Sequence, residues 1–171
     1  MNIEICRKDA ALALAGETDV STSVISISSP EEADPVFPDN PKLVSVLFLH
    51  FNDLFREYDE EGFPYGRPLP KREDFRGLKE FVSSLSCERL LIHCFEGTSR
   101  SAAVAAAVFV FRGCTDVLLS RQPFAPNPLV YSLACEELGI PERSLHVSVQ
   151  DEDGFFRIRL DASSSRRTER M

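Results

Sequence analysis

At 171 residues the chain has the size of one domain and can bury a sizeable core. Its 43 % hydrophobic content argues against disorder of the whole, and a net charge of −8 against nucleic acid or an anionic membrane as the main partner. Five cysteines without metal-ligand spacing and three scattered histidines point to free thiols, no zinc site and a reducing, cytoplasmic setting.

The apolar run Ala10 to Ala15 follows Asp9, is too short to span a bilayer and makes a poor signal core. It reads as a first helix, amphipathic or buried. Val24 to Ser28 reads as a strand, ended by Ser29-Pro30 and an acidic, proline-bearing loop to Pro41. Leu43 to Phe51 reads as a second strand, apolar on both faces as a buried parallel strand would be. Residues 55–71, rich in Gly, Pro and acids, read as a long loop. Arg72 to Leu85 has helical spacing, with Phe75, Leu78, Phe81, Val82 and Leu85 on one face. Arg89 to His93 is a third strand, and Ser101 to Arg112 a central buried helix stopped by Gly113. Further helices are predicted over Asp116 to Arg121 and Pro128 to Leu138. Leu145 to Val149 and Phe155 to Leu160 alternate around Asp151-Glu152-Asp153-Gly154, the pattern of a β-hairpin, with core cover as its first reading over a lid or docking edge. This order predicts an α/β fold, a mostly parallel central sheet flanked by helices, with a C-terminal hairpin extension. One domain is expected over 1–160, with its core at about 20–142, its hairpin at 145–160 and a disordered tail at 161–171.

The run His93-Cys94-Phe95-Glu96-Gly97-Thr98-Ser99-Arg100-Ser101 carries the chemistry. It lies between a predicted strand and a predicted helix, where backbone N–H groups converge and the helix dipole adds positive potential. A thiolate is favoured at such a spot, and a phosphate is cradled by it. Cys94 is therefore the candidate nucleophile and Arg100 the planar fork for two phosphoryl oxygens. The backbone of Phe95, Glu96, Gly97, Thr98 and Ser99 forms the cradle, with Gly97 giving the turn. Ser101 can donate to the cysteine sulfur, and His93 can fix the loop through its carbonyls.

This string resembles the His-Cys-x5-Arg-Ser/Thr signature of the cysteine-dependent protein tyrosine phosphatase superfamily. The flanking segments are similar to its compact dual-specificity-like members and small microbial tyrosine phosphatases. The resemblance spans about Val24 to Ile140 and is strongest at the loop. It implies a protein tyrosine phosphatase-like fold and hydrolysis of phosphoproteins, phosphotyrosine first, through a phosphocysteine. No metal or cofactor is implied, and a monomer is expected whose partner is a phosphorylated protein. Superfamily members that take inositol phosphates tend to carry lysines in the loop, whereas Glu96 here would repel a polyanion.

Such chemistry needs an acid to protonate the leaving oxygen and later to activate water. Asp53 ends the second strand, on the same sheet edge as the loop if the strands are parallel. The resemblance points to it as well, since the family's acid loop follows the strand ahead of the signature. The chain departs from the family in having no Trp-Pro-Asp and a gap of 41 positions to Cys94, so Asp59 and Asp74 stay as rivals. The segment Phe55 to Tyr65 is either an aromatic wall for a phosphotyrosine ring or a loop over the core. His50 reads as a half-buried strand residue. Asn127, between two prolines, is a helix cap; it also resembles a family asparagine that packs near the signature loop. Two other classes stay open. One is a phosphoprotein-binding module without turnover; the other is a redox thiol protein pairing Cys94 with Cys87, Cys114 or Cys135.

Overall fold

The computed structural model describes residues 1–113, 117–150 and 153–160. Its centre is a five-stranded, all-parallel sheet made of β1 (Asn2–Arg7), β2 (Thr22–Ser28), β3 (Leu43–His50), β4 (Arg89–Cys94) and β5 (Val117–Ser120). The strands lie in the order β3-β2-β4-β1-β5. Four helices flank it: α1 (Lys8–Glu17), α2 (Leu78–Ser84), α3 (Arg100–Phe111) and α4 (Pro128–Leu138).

Side chains alternate across each strand, so the sheet has two buried faces. Ile3, Ile5, Ile25, Ile27, Leu90, Ile92 and Cys94 form one cluster with the inner surfaces of α2, α3 and α4. All residues of α3 from Arg100 to Val110 are buried, and its five alanines let the helix sit close to the strands. On the other face Ala11 and Ala15 of α1 are buried. The loop after β2 reaches α1 there: Asn40 Nδ2 donates to the carbonyls of Ala15, Gly16 and Thr18, closing the helix C-terminus. Phe37 from this loop lies against the His93 ring, centroids 6.0 Å apart.

Four features differ from the sequence reading. First, β1 is an unforeseen strand in the middle of the sheet, between β4 and β5, so the core includes residues ahead of the expected 20–142. Its Glu4 is buried and is held by an ion pair to Arg121. Second, β3 is the strand expected to be buried on both faces, yet it lies at the edge with β2 as its one partner, and Val44 is 61 % exposed. Third, the helix expected over Arg72 to Leu85 is broken. A 3₁₀ turn at Arg72–Phe75 buries Phe75, Gly77 adopts φ +87°, and α2 starts only at Leu78. Fourth, Val117–Ser120 is a strand rather than part of a helix: the short apolar run pairs with β1, and Asp116 lies outside the described residues.

Beyond α4 the backbone forms β6 (Leu145–Gln150) and β7 (Phe156–Leu160), antiparallel to each other, with β7 against β5. The expected tail at 161–171 and part of the expected hairpin turn, Asp151 and Glu152, lie outside the described residues. No described helix is long and apolar enough to cross a membrane.

Candidate active site

In a parallel sheet every strand ends on the same edge, and the loops there face one another. Cys94 is the last residue of β4, and α3 begins six residues later at Arg100. The intervening loop is held from several sides. Lys8, the first residue of α1, donates its N–H to the Phe95 carbonyl at 3.3 Å. The N–H groups of Ala125 and Asn127 donate to the carbonyls of Thr98 (3.1 Å) and Ser99 (3.4 Å). His93 Nδ1 is 3.3 Å from the Cys94 carbonyl, the loop bond its position suggested. Burial pushes the His93 pKa down to about 4, with the charges of Lys8 and Arg100 adding to the effect. The ring is therefore neutral, and Nδ1–H donates to that carbonyl.

The Cys94 sulfur sits at the bottom of the loop. Gly97 N–H donates to it at 3.3 Å, and Ser101 Oγ lies 3.2 Å away. The Ser101 hydroxyl can turn to donate to the sulfur as the Gly97 N–H does. Ser99 holds the N-cap position of α3, yet its side chain makes no capping bond. The N–H groups of the first helical turn thus remain available to an anion.

Arg100 is 6 % exposed. Its Nη1 donates to the Phe51 carbonyl at 3.0 Å and lies 3.2 Å from Ser29 Oγ, both at the ends of neighbouring strands. Its Nε has no protein partner, and no described carboxylate pairs with it. A buried guanidinium with no described carboxylate partner can receive an anion.

Three residues past the end of β3, Asp53 reaches the same loop. Its Oδ1 accepts from Ser99 Oγ at 2.7 Å and from Asn127 Nδ2 at 2.9 Å. Asn127 also caps α4, as the cap reading expected: its Oδ1 accepts from the N–H groups of Leu129 (3.0 Å) and Val130 (3.1 Å). The two rival acids are occupied elsewhere. Asp59 accepts from Phe63 N–H within the long loop, and Asp74 from Lys71 N–H at the 3₁₀ turn. His50 is half-buried and pairs with Asp34. Phe95 is 54 % exposed, Glu96 is exposed, and both lie on the rim. The long loop is closed at its base by Asn52 Nδ2 on the Pro68 carbonyl and carries exposed Phe55, Tyr58 and Phe63.

The other described cysteines are free and poorly suited to react. Cys87 precedes β4 and touches Met1 Sδ, at the end of the strand opposite Cys94 and so roughly 20 Å away. Burial pushes the thiols of Cys6 and Cys135 up to about 12. Cys114 lies outside the described residues. No group of His, Cys, Asp or Glu among the described residues is arranged to hold a metal ion.

Sequence reasoning missed three contributors: Ser29, the Cys6–Arg7 backbone beneath the loop, and Ser99 as a partner of Asp53. Ser29 had a usable signal, because it follows β2 on the edge where the loop sits. No protein-family model matches the chain, and a comparison with curated proteins finds no match either.

Proposed function

We propose that this chain is a phosphomonoester hydrolase of the cysteine-dependent protein tyrosine phosphatase superfamily, acting on phosphoproteins, phosphotyrosine first. One observation carries the reading. Asp53, 41 positions ahead of Cys94, is hydrogen-bonded to the loop that holds the thiol and Arg100. Nucleophile, anion cradle and carboxyl group therefore share one sheet edge.

Chemistry follows from that arrangement. The loop N–H groups and the Arg100 fork hold the non-bridging oxygens and offset the charge that builds up in the transition state. Cys94 sulfur attacks phosphorus in line, the ester oxygen leaves, and Asp53 gives it a proton. Asp53, now a carboxylate, takes a proton from water as that water attacks the phosphocysteine. The thiolate departs with help from Ser101, and inorganic phosphate is released. No metal enters, because the cradle and arginine supply the positive charge. Glu96 on the rim disfavours polyanionic headgroups. The exposed aromatic residues beside Asp53 suit a polypeptide substrate. In this reading the C-terminal hairpin covers the β5 edge of the sheet, the protein is a cytoplasmic monomer, and the tail takes no part.

The test compares hydrolysis of an aryl phosphate and a phosphotyrosine peptide by wild type, Cys94→Ser, Asp53→Ala, Asp59→Asn and Asp74→Asn. Turnover should vanish in the serine variant and fall about 10²–10⁴-fold in Asp53→Ala, with the other two near wild type. Wild-type protein that binds the peptide but never turns over would replace this reading with a phosphoprotein-binding module.

A further inference from the structure

The bonding of Asp53 is lopsided. Ser99 Oγ (2.7 Å) and Asn127 Nδ2 (2.9 Å) converge on Oδ1, and no described residue reaches Oδ2. The Asn127 amide cannot be turned around to accept instead. Its oxygen already takes the N–H groups of Leu129 and Val130, so its NH₂ must face Asp53. A proton on Oδ1 would therefore point against a fixed donor. Ser99 contributes from the other side by leaving its usual capping duty on α3.

We propose that Ser99 and Asn127 are positioning residues that decide which oxygen of Asp53 carries the proton. Oδ1 is held by the two donors, so Oδ2 carries the proton, delivers it to the leaving oxygen and later receives one from water. This rests on the phosphatase reading above and extends it to the orientation of the acid. The need for such a clamp follows from the fold. Asp53 opens a long exposed loop whose internal bonds run from Asp59 N–H to the Phe63 carbonyl and from Tyr65 N–H to the Glu57 carbonyl, while Asn127 Nδ2 also donates to its Leu54 carbonyl at 3.3 Å. Nothing in that loop orients the carboxyl group. Ser99 belongs to the phosphate cradle, and Asn127, 4 % exposed, is the cap of α4. The acid is thus aligned by the surface that holds the substrate.

The experiment is a series of aryl phosphates with graded leaving groups, run on wild type, Ser99→Ala, Ser99→Thr, Asn127→Ser, Asp53→Ala and the double variant Asp53→Ala/Ser99→Ala. Asn127→Ser keeps an oxygen that can cap α4 and removes the amide donor to Asp53 and to the Leu54 carbonyl without adding a charge, so it tests the clamp without uncapping the helix. In Ser99→Ala and Asn127→Ser, kcat should fall about tenfold or more for the poorest leaving groups, which need the proton most, and little for the best. Ser99→Thr should restore the wild-type dependence, and Ser99→Ala should cost nothing further once Asp53 is alanine. A loss that is uniform across leaving groups, or that persists in the Asp53→Ala background, would overturn the proposal and assign Ser99 to the cradle alone. If Asp53→Ala itself leaves the leaving-group dependence unchanged, the acid assignment falls first, and the two failures are told apart.

Discussion

Gly97 rests directly on the backbone of Cys6. A Cβ at position 97 would stand 2.6 Å from the Cys6 carbonyl carbon and 2.7 Å from both its oxygen and the Arg7 nitrogen. Those atoms belong to the end of β1, a strand locked between β4 and β5. The loop is therefore pressed against a rigid floor, and its Gly97 N–H is aimed at the Cys94 sulfur because of that contact. Gly97 also has φ +77°, a conformation that costs an L-residue about 1–2 kcal/mol by itself.

Gly97→Ala should lower stability by more than that backbone term, because neither β1 nor the loop can yield cheaply. Lifting the loop would also pull the N–H from the sulfur and disturb the cradle. We expect a lower Tm together with loss of aryl phosphate turnover, whereas Gly66→Ala, also at positive φ but with open space around it, should lose stability alone. Thermal melts and initial rates on the two variants decide this. A fully active Gly97→Ala would mean that the floor is softer than it looks.

Much of the site can be read in the sequence because its chemistry is contiguous. His93 to Ser101 needs only the strand before it and the helix after it to become a cradle, and both have strong patterns. Asp53 is legible for a similar reason, standing at the end of an apolar run. What stays hidden depends on distant partners. Ile3-Glu4-Ile5 looks unsuited to the centre of a sheet until Arg121, far along the chain, neutralises Glu4. Val117–Ser120 is too short for its pattern to distinguish strand from helix, and β1 is what makes it a strand. The Ser99–Asp53 bond likewise exists only because β3 and β4 end on one edge. The break at Gly77 is a different kind of miss: helical spacing continues through it while the backbone does not.

His93 makes stability depend on pH in a defined direction. Its folded pKa of about 4 lies below the ordinary histidine value of 6.5, chiefly through burial. Between those values the unfolded chain binds a proton that the folded chain refuses. Stability from this residue is thus complete above about pH 6.5 and declines as pH falls towards 4, by a total of order 3 kcal/mol. Denaturant unfolding of wild type and His93→Gln at neutral and acidic pH tests this. The variant should be less stable at neutral pH, and the gap should shrink or reverse in acid. Parallel curves for the two proteins would mean that the imidazole is not the group responsible.

Ser101 should reveal itself in the second chemical step. Its Oγ is 3.2 Å from the Cys94 sulfur and fully buried, so removing it leaves no water to substitute. Attack on the ester consumes the thiolate, for which an added hydrogen bond is a mild hindrance. Breakdown of the phosphocysteine regenerates the thiolate, and there the same bond helps. A hydrogen bond to a developing charge is worth about 1.5–3 kcal/mol, or roughly 10- to 100-fold in rate. Ser101→Ala should therefore release a burst of aryl alcohol and then turn over slowly, with a phosphorylated protein detectable by mass after rapid quenching. Ser101→Thr, which keeps the hydroxyl, should behave like wild type if its methyl group fits. If burst rate and steady state fall together in Ser101→Ala, the hydroxyl acts on the attack step, and its contact with sulfur serves to position the nucleophile rather than to release it.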